Sequence, residues 1–439
     1  MYLFDVETKK TEAVSGGYQK EGLLIRDTFV KIGRNQRGIL YEPVIRTEKS
    51  RIAVVIVHSD DDYSTRPMGG ELAKRGYTAF CGAVSDRTDT LDRKLLDIRN
   101  IVEFLRAYPG IEKVVLMGHS GGATLMSAYQ AVAENGVSVF RGEHMVISCS
   151  VKEKLPAADG LMLIDSNWGN GSMTLFSVDP SVKTEGNGMD LDPRFDIFDL
   201  KNGYDPAGAH YSESFKKEFF EAQRERNNRL VRAALERLHA IETGKGFYSD
   251  DEPFIITGGT QMVPGNKLFP QDISLFAHTK GEYPLLHGDG TVTTEVVRSV
   301  RKPRGRKSPT SSCAMGTLIT TVKSFLTGKA VLADDTYGIY PDGAKGILWD
   351  LSYDCTPGNV KKIHVPLLCM GMTGSYEYLA AEEIFCNAAS HDKSIAFVEG
   401  AGHNFNAEHE CETFPGQFGD TQRTLYDCMD QWLKENNRF

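Results

Sequence analysis

No Cys-x-x-Cys pair occurs among the eight cysteines of this sequence, which stand at 81, 149, 313, 355, 369, 386, 411 and 428. Several lie in apolar runs such as Leu367-Leu368-Cys369-Met370. This spacing excludes a disulfide framework and paired Cys/His zinc sites, and it fits buried thiols in a reducing, cytoplasmic compartment. Apolar runs long enough to cross a bilayer are also missing. The first ten residues hold no basic segment followed by an apolar one, so no signal peptide is expected. Positive charge is in deficit: 50 Lys and Arg stand against 59 Asp and Glu, a formal charge of -9. Neither nucleic acid nor a membrane is therefore an expected partner. Internal repeats and low-complexity tracts are absent as well.

What is present is ordinary globular composition, with 41% hydrophobic and 25% charged residues. A chain of 439 residues exceeds a typical single domain, so a core and a second module are expected. The organising stretch is Lys113-Val114-Val115-Leu116-Met117-Gly118-His119-Ser120-Gly121-Gly122-Ala123. An apolar run of strand length enters a Gly-x-Ser-x-Gly, and residues 123–133 continue as a buried helix. Small residues on both sides of Ser120 let strand and helix approach closely, and the first helix amides point outward beside the serine oxygen. Strand, tight turn and helix in that order resemble the nucleophile elbow of the α/β-hydrolase fold.

Other segments repeat the alternation. Residues 22–32 and 38–45 read as an antiparallel hairpin around 33–37. A continuous apolar strand is expected at 52–57 and further strands at 77–84 and 159–165, with a helix over 91–107. Alternating strands and helices imply crossover units and a mainly parallel sheet. From 166 to 360 the alternation stops. That segment holds a long charged helix over 212–242 and a basic loop, Arg301-Lys302-Pro303-Arg304-Gly305-Arg306-Lys307, read as a solvated tip. Structureless loops of such length are rare in compact domains, so an inserted cap is expected over 166–360. Core segments then flank it at 1–165 and 361–439. The alternation resumes with strands at 364–372 and 394–400 and helices over 378–390 and 422–435.

A serine hydroxyl needs a base, and the base needs an orienting partner. His403 follows the last apolar strand after Gly400-Ala401-Gly402 and is the candidate base. In the fold resembled, serine, acid and histidine follow in chain order, each after a strand. The resemblance implies an aspartate near Ser375, where none stands. Glu377 is the nearest carboxylate and is taken as the acid, with Asp165, at the tip of the preceding strand, as the alternative. The oxyanion donors expected are the amide of Gly121 and that of Ser59 or Asp60 after the 52–57 strand. His58 is read as structural. Asp60-Asp61-Asp62 splay apart and read as a solvated loop, so no metal and no cofactor is expected.

The stretches around 55–66, the elbow and 398–403 together look like a branch of α/β-hydrolases with a large insertion before the acid strand. The resemblance implies a serine hydrolase that forms an acyl-enzyme on Ser120. Aromatics of the insertion and its flank, including Trp168, Phe176, Tyr204, Phe247, Tyr248 and Trp349, suggest a small hydrophobic or aromatic ester, lactone or thioester as substrate. Carbon–carbon or amide hydrolysis on the same residues, and a non-catalytic binding module, are the alternatives. A small molecule is the expected partner, with homo-oligomerisation left open.

Overall fold

The computed structural model describes residues 22–33, 35–261, 267–304, 316–435 and 438–439. Residues 305–307 of the basic loop, the first ten residues and Cys313 lie outside them. Six strands precede the long middle segment: β1 (Ile25–Ile32), β2 (Gln36–Pro43), β3 (Ile52–His58), β4 (Thr78–Ala83), β5 (Lys113–Ser120) and β6 (Gly160–Ser166). Within that segment lie β7 (Pro253–Thr257), β8 (His278–Leu286), β9 (Val292–Arg298), β10 (Thr317–Thr321), β11 (Ala333–Tyr340) and β12 (Gly343–Ile347). β13 (Leu367–Met372) and β14 (Lys393–Val398) follow it. The helices are α1 (Met68–Lys74), α2 (Leu91–Arg106), α3 (Gly122–Asn135), α4 (Asn170–Ser177), α5 (Glu213–Glu242), α6 (Val322–Gly328), α7 (Thr356–Asn359), α8 (Leu379–Asn387) and α9 (Thr421–Lys434).

The central sheet runs β1-β2-β4-β3-β5-β6-β13-β14-β8-β9. β1, β2 and β4 pair antiparallel at one edge, in the register Ile25↔Pro43 to Ile32↔Gln36. From β4 to β8 every pairing is parallel. This is the α/β-hydrolase architecture: a mainly parallel sheet flanked by helices, with the serine turn at the end of a central strand. Its strands are apolar because both faces are covered. Val54, Val55 and Ile56 of β3 are fully buried, and successive side chains enter two different cores. Each such side chain contributes about 1.5–3 kcal/mol by leaving water.

The middle segment is less separate than its sequence implies. It does form its own cluster, where Leu230, Val231 and Ala234 of α5 meet Ile256, Val322 and Phe325. Ser212 caps α5 by accepting the Phe215 amide at 3.2 Å. The β8–β9 hairpin, however, extends the central sheet, with Leu285 and Leu286 beside Phe397 and Val398 of β14. Buried Glu382 of α8 fixes it further by accepting from the amides of Lys280 and Gly281. The core also resumes before 361, since Asn359 of α7 donates to Ser127 of α3 at 3.1 Å.

Close packing at the elbow gives a stability prediction. A Cβ on Gly118 would stand 2.6 Å from the Cα of Ala123 and 2.8 Å from its nitrogen. Gly118→Ala should therefore cost about 1–3 kcal/mol through backbone displacement, measured as a lower melting temperature.

Candidate active site

β5 ends on Ser120, whose φ of 54° lies in the left-handed region, and α3 starts two residues later. A non-glycine residue holds that conformation only where its surroundings over-determine it. Here a Cβ on Gly122 would meet the Val57 carbonyl at 2.8 Å, so only glycine lets the turn seat against β3. The Ser120 hydroxyl is part-exposed and makes no hydrogen bond among the described residues.

His403 lies in the loop after β14. Its Nδ1 donates to Oδ2 of Asp165 at 2.7 Å, which leaves Nε2 unprotonated in the neutral ring and available as a base. Asp165 closes β6 with φ 40° and is fully buried. Its other oxygen accepts the Met372 amide at 3.1 Å. His119, the variable residue of the Gly-x-Ser-x-Gly, joins the elbow to this loop. Its ring lies 4.7 Å from that of His403, and its Nε2 donates to the His403 carbonyl at 2.8 Å. Nδ1 of His119 then accepts from the Tyr63 hydroxyl at 2.7 Å. Burial holds His119 well below its ordinary value, so it stays neutral in that tautomer. Ligand-type atoms of His119, Asp165 and His403 lie within 4.8 Å of one another, and those on His119 and Asp165 are already engaged in these bonds. Among the described residues, four non-glycine positions have positive φ. Ser120 and Asp165 are two of them, and Phe405, which packs on His119 at 4.7 Å, is a third.

The hydrogen-bonded acid is thus Asp165, and the expectation for Glu377 is corrected. Oε2 of Glu377 stands 3.7 Å from His403 Nδ1, beyond hydrogen-bond range, and is buried with no hydrogen-bond partner. Its own amide donates to Ser375, at 3.2 Å. Burial raises the Glu377 carboxyl above its ordinary range, and the nearby charge of Asp165 adds to this. Burial works against a charged His403 ring, but the Glu377 charge and the Asp165 hydrogen bond outweigh it and raise the imidazole above its ordinary value.

The turn at Gly121 packs closely against the loop after β3. A Cβ on Gly121 would lie 2.9 Å from Ser59 Oγ, 2.8 Å from Asn170 Oδ1 and 3.2 Å from the His58 ring. The Asp60 amide is used, donating to His58 Nδ1 at 3.0 Å. The amides of Ser59 and Gly121 have no partner among the described residues. His58 is structural, with burial pulling its ring down to about 4. The acidic loop is not freely solvated. Asp60 pairs with Lys94 at 3.1 Å and Lys329 at 3.4 Å, Asp61 with Arg66 and Asp62 with Arg37. Asn170 donates to Ser59 Oγ at 3.1 Å, so α4 and the middle segment brace this loop.

A cavity of about 220 Å³ opens beside His403. Its walls come from the middle segment, including Lys267, Pro270 and Arg301, and from Ser375 and Tyr376 of the core. The expected aromatics are elsewhere. Trp168 stacks on Phe276 at 4.8 Å in the core beside Phe176, Tyr204 packs on Phe198, and Phe247 is exposed under Arg237. Trp349 is held by a bond from its ring nitrogen to Ser172. His119, Tyr63, Asn170 and Lys267 went unread in the sequence. Only His119 had a local signal, its place in the motif.

No family model matches the chain, and no curated protein matches it. Several solved structures are similar. A hypothetical protein of Pseudomonas aeruginosa is 14% identical, with 99% of each chain covered and a TM-score of 0.41. The α/β hydrolase GrgF of a Penicillium species is 10% identical over 95% of this chain and 100% of its own, with a TM-score of 0.42. The siderophore hydrolase EstB of Aspergillus fumigatus is 11% identical over 94% and 100%, with a TM-score of 0.41. Among the described residues no helix is long and apolar enough to cross a membrane.

Proposed function

We propose that this protein is a serine hydrolase that cleaves carboxylic esters, lactones or thioesters through an acyl-enzyme on Ser120. The observation that carries the reading is the 2.7 Å bond from His403 to buried Asp165, joined through His119 to the left-handed Ser120 turn. His403 Nε2 takes the Ser120 proton as Oγ attacks the carbonyl carbon. Asp165 fixes the ring tautomer and stabilises the imidazolium. The amides of Ser59 and Gly121, without a partner among the described residues, hold the oxyanion. His403 then returns the proton to the leaving oxygen, and water releases the acid by the same steps. The segment between β6 and β13 serves as a cap, because it walls the cavity beside His403. The test is labelling by a fluorophosphonate with mass mapping of the adduct. Modification of Ser120 together with turnover of p-nitrophenyl esters supports the reading, and an unlabelled serine rejects it.

Glu377 has a separate role in this scheme, setting the pH at which the base is free. A carboxylate charge 3.7 Å from the ring favours the imidazolium, so neutral His403 gains population only as pH rises through the raised value. Glu377→Gln removes that charge. The acid limb of the kcat/KM profile should then move to lower pH by about 1–3 units, with the plateau far less affected than by loss of Asp165. An unmoved acid limb would show that Glu377 does not act on the base.

A further inference from the structure

The walls of the cavity beside His403 carry four cations, Lys267, Arg301, Lys302 and Arg304, and no acidic residue, in a chain of formal charge -9. Their charges are not equivalent. Arg304 is exposed and already paired with Glu408 and Glu410. Arg301 has no carboxylate partner among the described residues; it donates to Ser299 Oγ and to the carbonyls of Leu275 and Phe276. Lys267 is 1% exposed and spends one donor on the Gln261 carbonyl at 2.6 Å. No carboxylate reaches its ammonium within ion-pair distance among the described residues, and Glu377 acts on it only from farther off. Lys302 stands exposed at the rim without an ion pair among the described residues. Burial pulls Lys267 down to about 8, so it is still mostly charged at neutral pH. A buried cation without a bonded anion costs several kcal/mol of lost hydration. An incoming anion would find the Lys267 ammonium 5.9 Å over the Tyr376 ring, with two N–H donors unused among the described residues, and the field of Arg301 and Lys302.

Resting on the hydrolase reading above, we infer that the substrate carries an anionic group, a carboxylate in the simplest case, seated on Lys267 in the cavity beside His403. The space is roughly that of seven water molecules, enough for a short acyl chain ending in a carboxylate. A phosphate would meet the same donors, so the test separates the two. A short charged acyl group replaces the hydrophobic or aromatic substrate expected from composition, because Trp168 and Phe176 are packed into the core and Tyr376 is the one aromatic ring among the described residues that line this wall.

The experiment compares p-nitrophenyl butyrate with mono-p-nitrophenyl glutarate, which adds a terminal carboxylate to a chain of similar length. Wild-type protein should favour the glutarate in kcat/KM by about 10–100-fold, the range of one charge-assisted hydrogen bond. That ratio should fall with added salt and drop toward one in Lys267→Met. Lys302→Gln, at an exposed position, keeps the test open if the first variant does not fold; it should lower the ratio less steeply. Free glutarate and inorganic phosphate are then tried as competitive inhibitors of butyrate turnover. Inhibition by glutarate assigns a carboxylate, and inhibition by phosphate alone assigns a phosphate. Butyrate turned over as fast as the glutarate, with neither anion inhibiting, overturns the inference and leaves the hydrolase reading standing. If neither ester reacts and Ser120 resists the phosphonate, the hydrolase reading fails. Calorimetric titration with glutarate then judges the anion site alone, and absence of binding overturns it.

Discussion

Ser120→Ala should abolish ester turnover, lowering kcat by about 10⁶, while the protein keeps its fold. The loss is large because Ser120 Oγ is the atom that carries the acyl group in the proposed reaction. The fold should survive because the Ser120 hydroxyl makes no hydrogen bond among the described residues that alanine would forfeit. Alanine meets the same positive φ as serine, so the strain of the turn is carried over and not increased. Steady-state turnover of a p-nitrophenyl ester, far-UV circular dichroism and phosphonate labelling make the check together. Residual activity within about a hundredfold of wild type would place the nucleophile elsewhere, whatever the turn looks like.

The parts of this architecture that were legible in sequence are those whose signal is local. The strand at 52–57 reads as an unbroken apolar run because it is covered on both faces, and the one expected at 77–84 is found at Thr78–Ala83. The serine turn announced itself through Gly118 and Gly122, which steric contact with Ala123 and Val57 makes obligatory. The β8 strand had no such signal. It contains a glycine, a proline and charges, and its parallel pairing with β14 rests on a two-residue register set far away in the chain. The acid was ambiguous for a related reason. β6 and β13 are neighbours in the sheet, so a carboxylate at the tip of either arrives beside the same imidazole. A separation of 2.7 against 3.7 Å is a matter of loop geometry, which no residue pattern encodes. The signal available was a single aspartate closing the apolar run Leu161 to Ile164, at the end of a strand where charge is otherwise absent. Aromatic content was a poor guide to the cavity, because a count of rings does not tell which of them pack against each other. Trp168, Phe176 and Phe276 satisfy one another in the interior, leaving cations to face the opening.

Asp165→Asn should lower kcat/KM by about 10⁴ without unfolding the protein. Asp165 accepts twice, from His403 Nδ1 at 2.7 Å and from the Met372 amide at 3.1 Å, and it has no exposure to water. An asparagine of the same shape offers one acceptor and one donor group, so one of these partners is mismatched. If its carbonyl keeps Met372, its NH₂ faces His403 and forces the ring proton onto Nε2, where the serine proton must go. If its carbonyl keeps His403, two N–H groups confront each other in the interior, which costs about 1–3 kcal/mol. The first arrangement is favoured for that reason, and it produces the wrong tautomer for base catalysis. Glu377 supplies the sharpest competing outcome. Its Oε2 is buried, lacks a partner and lies 3.7 Å from the same ring nitrogen, so a shift of about an ångström would let it accept the Nδ1 proton. A rate within about tenfold of wild type in Asp165→Asn, lost only when Glu377→Gln is added, would mean that Glu377 had taken over the ring. A drop of four orders in the single variant assigns the tautomer to Asp165 and leaves Glu377 to set the pH at which His403 becomes free.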